Sequence, residues 1–221
     1  MTKLRETENL WVLGLFLGLL GLLSALALAL ISAQTAPAIR AAKARETAAA
    51  IRKLGLPAFD SCIDSGEIDG VKFLTAAKGT EPVGFVAEVS RPGYAGAIRL
   101  LVGFDTTGKI LAVSVLEHKE TPGLGAEICE RKFRKTITRL RDPHPERLPE
   151  NPILDQFHGR RVEGAEPWRV ARDGGTFAYR TGATVTSRAV TAAVEAAGRA
   201  LRSGTPAILA AAGKTLNPGR K

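Results

Sequence analysis

An uncharged apolar run near the N-terminus constrains this chain more than any other feature. No Asp, Glu, Lys or Arg lies between Glu8 and Arg40, and residues 10–31 are dominated by Leu, Ala and Gly. As a helix at about 1.5 Å rise per residue, that run spans about 33 Å, enough to cross the hydrocarbon core of a bilayer. A helix on the surface of a soluble domain would show a polar face, and this run has none. A transmembrane helix is expected over 10–33. The rival reading is a cleaved signal peptide, with Ser32-Ala33-Gln34-Thr35-Ala36 as the cleavage region. Signal peptides have shorter apolar cores of about 7–15 residues, so the length favours an uncleaved anchor.

Around the run, residues 1–9 form a short N-terminal segment in which Lys3 and Arg5 are offset by Glu6 and Glu8. Arg40, Lys43 and Arg45 follow it, a distribution that mildly favours a cytoplasmic C-terminal side. Residues 34–56 are rich in Ala, Arg, Lys and Glu at helical spacing and read as a helical linker, with Pro37 near its start, where proline is tolerated. Residues 60–70 carry turn formers. Strands are expected at 71–75, 83–89 and 97–104, and at 109–116, which pairs with 97–104 as a hairpin across Asp105-Thr106-Thr107-Gly108. Helical character returns over 126–140, a proline-rich loop follows at 143–152, and a short strand precedes Gly174-Gly175 at 168–171. The last helix is expected over 187–202, and 205–221 reads as a weakly ordered basic tail. The sum is an α+β domain over 57–204, an antiparallel sheet with flanking helices.

The net charge of +9 raises the question of a polyanionic partner. Six basic residues fall between Arg131 and Arg141, where Phe133, Ile137 and Leu140 recur at helical spacing. A helix with one buried stripe and a solvated basic face accounts for this pattern best. Anionic lipid headgroups or a partner protein come next. Nucleic acid comes last, because no cluster of base-stacking aromatics accompanies the charge. Cys62 and Cys129 lack the spacing of a zinc or iron–sulfur site, and both a disulfide and two separate thiols stay open. His118, His144 and His158 are isolated, which suits structural or surface roles better than metal ligation.

Thr181-Gly182-Ala183-Thr184 stands immediately before a helix start, Val185-Thr186-Ser187-Arg188-Ala189-Val190. Val190, Val194, Ala197 and Leu201 then share one face. A helix N-terminus carries free N–H groups and the positive end of a dipole, so it accommodates a phosphate. On local physics alone a plain cap is the more frequent reading. A second segment, Glu120-Thr121-Pro122-Gly123-Leu124-Gly125, ends a strand in a turn whose glycines permit close backbone approach.

These segments, with Gly93-Tyr94-Ala95-Gly96, stand in one order behind a membrane helix. The chain resembles the G subunit of the Rnf electron-transport complex along most of its length and, more distantly, the C subunit of the sodium-pumping NADH:quinone reductase. The resemblance implies FMN joined through a phosphoester to Thr184. It also implies a flavin transferase that uses FAD, and a single-pass subunit of the bacterial inner membrane with its large domain on the periplasmic side. The subunit would carry electrons rather than act as a self-sufficient enzyme. Its complex, made of further membrane and peripheral subunits, couples ferredoxin/NAD electron transfer to movement of protons or sodium ions. A threonine hydroxyl is a poor nucleophile without an activating base, and no Asp–His partner is visible locally, which suits modification by a separate enzyme.

In this reading Thr181, Gly182 and Ala183 form the turn, and N–H groups around Thr186 and Ser187 hold the phosphate. The loop of Glu120, Thr121, Pro122, Gly123 and Leu124 approaches the isoalloxazine ring, Leu124 packing on it and Thr121 bonding its polar edge. No catalytic or metal-binding residue is assigned, and membrane lipid is the remaining partner. The family usually places an acidic residue three positions before the first threonine; here that position is Ala178, and Asp173 is nearby but out of register. A membrane-anchored, non-redox module that binds a partner or small anion is the alternative, and an FMN-binding domain serving another respiratory or regulatory system is a third reading.

Overall fold

The computed structural model describes residues 10–131, 148–164 and 167–216. The chain divides into two compact units, Met1–Thr47 and Ala48–Lys221. Helix α1, Leu10–Arg52, runs unbroken through Pro37 and covers both the apolar run and most of the expected linker. It is long and apolar enough to cross a membrane, and the leucines of the run are exposed along it.

The second unit is built on a five-stranded antiparallel meander in the order β1-β2-β3-β4-β5. The strands are β1 Ser61–Ile68, β2 Val71–Lys78, β3 Glu81–Pro92, β4 Ala97–Phe104 and β5 Ile110–Glu117. The expected hairpin is the β4–β5 pair, in which Val102 faces Val113. Its turn is closed by Asp105, whose Oδ1 accepts from the N–H groups of Thr107 and Lys109, both at 2.8 Å. β1 corrects the expectation of turns over 60–70. The tight turn is only Asp69-Gly70, both at positive φ (52° and 74°), the conformation of a two-residue hairpin loop.

Alternation along the strands sorts side chains to two faces. Phe85, Ala87, Val89, Leu100 and Val102 join the main core with Val190, Ala193, Val194, Ala197 and Leu201 of helix α4, Thr184–Leu216. Val86 and Leu101 point the other way and pack with Ile51 and Leu54. α4 is longer than the sequence suggests. Its apolar stripe continues past Leu201 to the buried Ile208 and Ala212, and the helix carries Pro206 within it. The segment from Thr205 onward, expected to be a tail, is therefore helical as far as Leu216.

Two short helices bracket the expected basic helix. α2, Ala126–Cys129, corrects the helix expected over 126–140, because the chain turns extended at Glu130 (φ -88°, ψ 133°); residues 132–147, including most of the basic cluster, His144 and much of the proline-rich loop, lie outside the described residues. Arg131 belongs to no solvated face. Its guanidinium pairs with Asp155 at 2.7 Å and donates to the carbonyls of Val113 and Pro149. α3, Pro152–Asp155, is capped by Asn151, whose Oδ1 accepts from Ile153 and Leu154 N–H while its Nδ2 donates to the carbonyls of Ile128 and Glu130. The expected strand at 168–171 is only a bridge between Val170 and Phe177, followed by a single 3-10 turn, Ala171–Asp173. Both cysteines are free thiols, Cys62 exposed and Cys129 buried.

Candidate functional site

The start of α4 is built from its own backbone outward. Ala183 N–H donates to Arg180 O at 3.0 Å, and Gly182 sits in the left-handed region at φ 83°. Only glycine enters that region without strain. Ala183 O receives Ser187 N–H at 3.0 Å, which closes the first helical turn. The N–H groups of Thr184, Val185 and Thr186 stand ahead of that bond, without ladder partners. Ser187 N–H is thus engaged, a correction to the expectation that it faces a phosphate. Its hydroxyl is engaged too, donating to Ala183 O and accepting Arg180 N–H at 3.2 Å.

Thr186 turns its hydroxyl to the other segment that stands out in the sequence, donating to Glu120 Oε2 at 2.7 Å. The second carboxylate oxygen, Oε1, accepts the backbone N–H groups of Tyr94 (2.8 Å) and Ala95 (3.2 Å). Glu120 is only 5% exposed. Among the described residues no cation pairs with it, so these three donors replace water around the buried charge. A Cβ at Gly93 or Gly125 would collide with this carboxylate, which explains glycine at both positions. One acid thereby joins the β3–β4 connection, the loop after β5 and the first turn of α4.

The 121–125 turn closes against the same helix start. Leu124 N–H donates to Thr121 O, and Arg180 Nη2 donates to Gly123 O, each at 3.2 Å. Leu124 lies over Gly182, where an added Cβ would come within 3.2 Å of it. Leu124 (43%), Val185 (44%) and Tyr94 (74%) stay exposed. Each is carried by backbone that meets at this site. Thr121, Pro122 and Thr181 are exposed beside them.

Thr184 itself is half-buried, and its Oγ1 accepts from Arg172 Nη1 at 3.2 Å. The next residue of that 3-10 turn, Asp173, takes both arms of Arg188 at 2.7 and 2.5 Å. The Arg188 hydrogen bond holds the Asp173 carboxyl below its ordinary range. Ala178 is fixed differently, its N–H donating to Gln156 Oε1 at 2.6 Å. Arg172, Arg180 and the Tyr94–Ala95 amides are contributors to which the sequence alone assigns no role. Gly93-Tyr94-Ala95-Gly96 is recognisable there only as a segment, and the arginines carry no local pattern.

Behind the loop, burial and then the charges of Glu120 and Glu130 push the Cys129 thiol up to about 12. His118 Nδ1 accepts Glu120 N–H at 3.3 Å, and its Nε2 lies 3.8 Å from Glu130. His158 Nδ1 lies 2.6 Å from Leu111 O. Both serve structural contacts. Among the described residues no three His, Cys, Asp or Glu side chains are grouped to hold a metal. A cavity of about 950 Å³ opens elsewhere, lined by Lys109, Arg160, Arg161, Trp168, Arg169 and Phe177 among others, and includes none of the residues expected at the site.

Residues 93–198 match the family described as FMN-binding domain, a span that contains every segment meeting at Glu120 and Thr184. The chain is similar to the G subunit of the ion-translocating oxidoreductase complex of Escherichia coli strain K12, 42% identical over 126 residues, which cover 56% of this chain and 52% of that protein. The corresponding G subunit of Yersinia pestis is 40% identical over 134 residues, 59% of this chain and 56% of the relative. The match thus spans about half the length of these relatives. With the G subunit of Cereibacter sphaeroides the identity is 34% over 189 residues, covering 81% of this chain and 78% of the relative. On that extent of shared sequence the chain belongs to the family of G subunits of ion-translocating oxidoreductase complexes.

Proposed function

We propose that this protein is a membrane-anchored flavoprotein that carries electrons within an ion-translocating oxidoreductase complex, its FMN held by a phosphoester to Thr184. The observation that carries the reading is the convergence, inside a domain matching the FMN-binding family, of the Thr184 helix start and the Glu120–Leu124 turn on one buried carboxylate. When bound, FMN supplies one- and two-electron transfer.

The chain's residues hold and orient. The N–H groups of Thr184, Val185 and Thr186, ahead of the helical ladder and at the positive end of a 33-residue helix, face phosphate charge. Gly182 keeps the turn before the tether narrow. Leu124 and Val185 offer apolar contact to the ring, with Tyr94 at the rim. Glu120 is the residue that fixes these three segments against one another.

A covalent tether retains a cofactor that would otherwise diffuse away outside the cytoplasm, consistent with a periplasmic domain. The charges flanking α1 favour the opposite orientation, but long domains translocate largely regardless of flanking charge. Attachment is the work of a flavin transferase with FAD as donor, since among the described residues no base stands beside Thr184. The partners are the other membrane and peripheral subunits of the complex, which passes electrons between ferredoxin and NAD while ions move, together with membrane lipid around α1.

Co-production with a flavin transferase should give yellow protein whose colour survives denaturation, with a mass gain equal to one FMN phosphoester. Thr184→Val should abolish both. Covalent flavin on the valine variant would overturn the assignment.

A further inference from the structure

Three arginines approach the start of α4, and their hydrogen bonds differ. Arg188 spends its fork on Asp173 through two short bonds. Arg180 reaches the Gly123 carbonyl. Arg172, which is exposed, directs Nη1 to the side-chain oxygen of Thr184 at 3.2 Å. A neutral hydroxyl is a weak partner for a planar cation with five N–H donors.

The position of Arg172 is set by its turn. Asp173 N–H donates to Val170 O at 2.8 Å, Gly174 N–H to Ala171 O at 3.1 Å and Gly175 N–H to Val170 O at 3.1 Å. Val170 is bridged to Phe177, which stacks on Trp168 with ring centroids 4.6 Å apart. Thr184 and Arg188 are one helical turn apart and share a face of α4. Two adjacent residues of the 3-10 turn therefore meet two residues of that face, Asp173 latching onto Arg188 and Arg172 lying over Thr184.

We infer that Arg172 is the positioning residue for the phosphoester at Thr184, and that the Asp173–Arg188 ion pair is the latch that holds it there. The inference rests on the reading of Thr184 as the flavin tether. Attachment forms a bond from Thr184 Oγ1 to the FMN phosphorus and breaks the phosphoanhydride bond of FAD. AMP leaves, and the hydroxyl proton passes to the transferase. No electrons are exchanged. The new ester adds anionic oxygens at the atom Arg172 already touches, where a guanidinium bonds two of them at once. The same contact favours the docked donor before transfer and the ester after it.

The test uses the full-length chain in mild detergent with purified flavin transferase and FAD. Initial loading is followed by intact mass, and the tethered phosphorus by ³¹P NMR. Arg172→Gln should load about tenfold more slowly, the worth of one charge-assisted phosphate contact, and should move the ³¹P resonance. Arg172→Lys, which keeps the charge but not the fork, should recover only part of the rate. Arg169→Gln, which removes the same charge from a neighbouring exposed position, should load within about twofold of the parent, as one surface charge away from the contact contributes little. Because Arg172 is exposed, thermal melting of the variants should match the parent. If the parent loads and Arg172→Gln matches it in rate and ³¹P position, the role of Arg172 is refuted while the tether stands. If Arg169→Gln slows loading as much as Arg172→Gln, general charge accounts for the effect and the inference falls. If the parent takes up no FMN at all, the reading of Thr184 fails first.

Discussion

The buried carboxylate of Glu120 gives the sharpest quantitative test of the site's architecture. It accepts three hydrogen bonds, from Thr186 Oγ1 at 2.7 Å and from the amides of Tyr94 and Ala95 at 2.8 and 3.2 Å. Thr186→Val keeps the side chain's shape and removes one donor to a buried charge, a loss of about 1.5–3 kcal/mol. For a domain of this size, at about 2–4 °C per kcal/mol, that lowers the melting temperature by about 3–12 °C. Glu120→Ala strands the hydroxyl and two backbone N–H groups together, costing about 3–5 kcal/mol at about 1–3 kcal/mol per stranded group with partial relief by water. The two changes share one bond, so the double variant should fall short of the sum by about 1.5–2 kcal/mol. Urea unfolding of the full chain in mild detergent, followed by near-ultraviolet circular dichroism, measures all four corners of the cycle. Effects that add to within about 0.5 kcal/mol would mean that Thr186 and Glu120 act independently. The account of Glu120 as the joint between three segments would then be wrong.

The thiols and the latch offer two further checks. Iodoacetamide at pH 8 should label the folded protein once, at exposed Cys62, and the denatured protein twice, because burial and then the Glu120 and Glu130 charges keep Cys129 protonated with its pKa raised to about 12; two labels on folded protein would refute this. Asp173 should titrate below its ordinary value of 3.8, owing first to its hydrogen bond with Arg188. A depressed native pKa stabilises the fold above the unfolded value and loses that contribution as pH falls through the native one. The stability difference between the parent and Arg188→Gln should therefore be constant from neutral pH down to about pH 5 and shrink as the pH falls through the native value of Asp173, as unfolding curves at each pH will register; a difference that does not shrink in acid below about pH 5 would exclude the ion pair as its source.

Much of the fold can be read from residue order because the relevant signals are local. The charge-free run that becomes α1, the alternating residues of β4 and β5 around Asp105–Gly108, and the valine stripe of α4 each announce a period and a boundary. β1 is hard to see in the sequence because most of its side chains are not buried and its residues, Ser-Cys-Ile-Asp-Ser-Gly-Glu-Ile, are those of a half-solvated strand on the sheet's edge. The length of α4 is hidden because Ile208 and Ala212 are separated from the main stripe by Gly204 and Pro206, residues that usually end helices. At the site, Thr184 and the Glu120–Leu124 turn stand out as motifs, and their helix-start and turn geometry is legible. What links them is not. The reach of Thr186 to Glu120 spans 66 positions, and that of Arg172 to Thr184 depends on a turn fixed by Val170 and Phe177. Such tertiary contacts leave no periodic trace.

The meander and its covering helix also order events in time. Each strand pairs with the one synthesised just before it, so the sheet is assembled from neighbours as the nascent chain emerges. The face bearing Phe85, Leu100 and Val102 packs with Ile128, Leu154 and Phe157 as well, but it is completed only by the residues of α4, Val190, Val194 and Ala197 among them. Thr184, the residue proposed to carry the flavin, opens that helix, so the proposed tether and the lid of the core are completed in one step. A maturation enzyme that recognises the assembled corner at Glu120 would encounter only finished domains, and a chain cut short before α4 would present a greasy sheet for chaperones and proteases instead of a substrate for flavin.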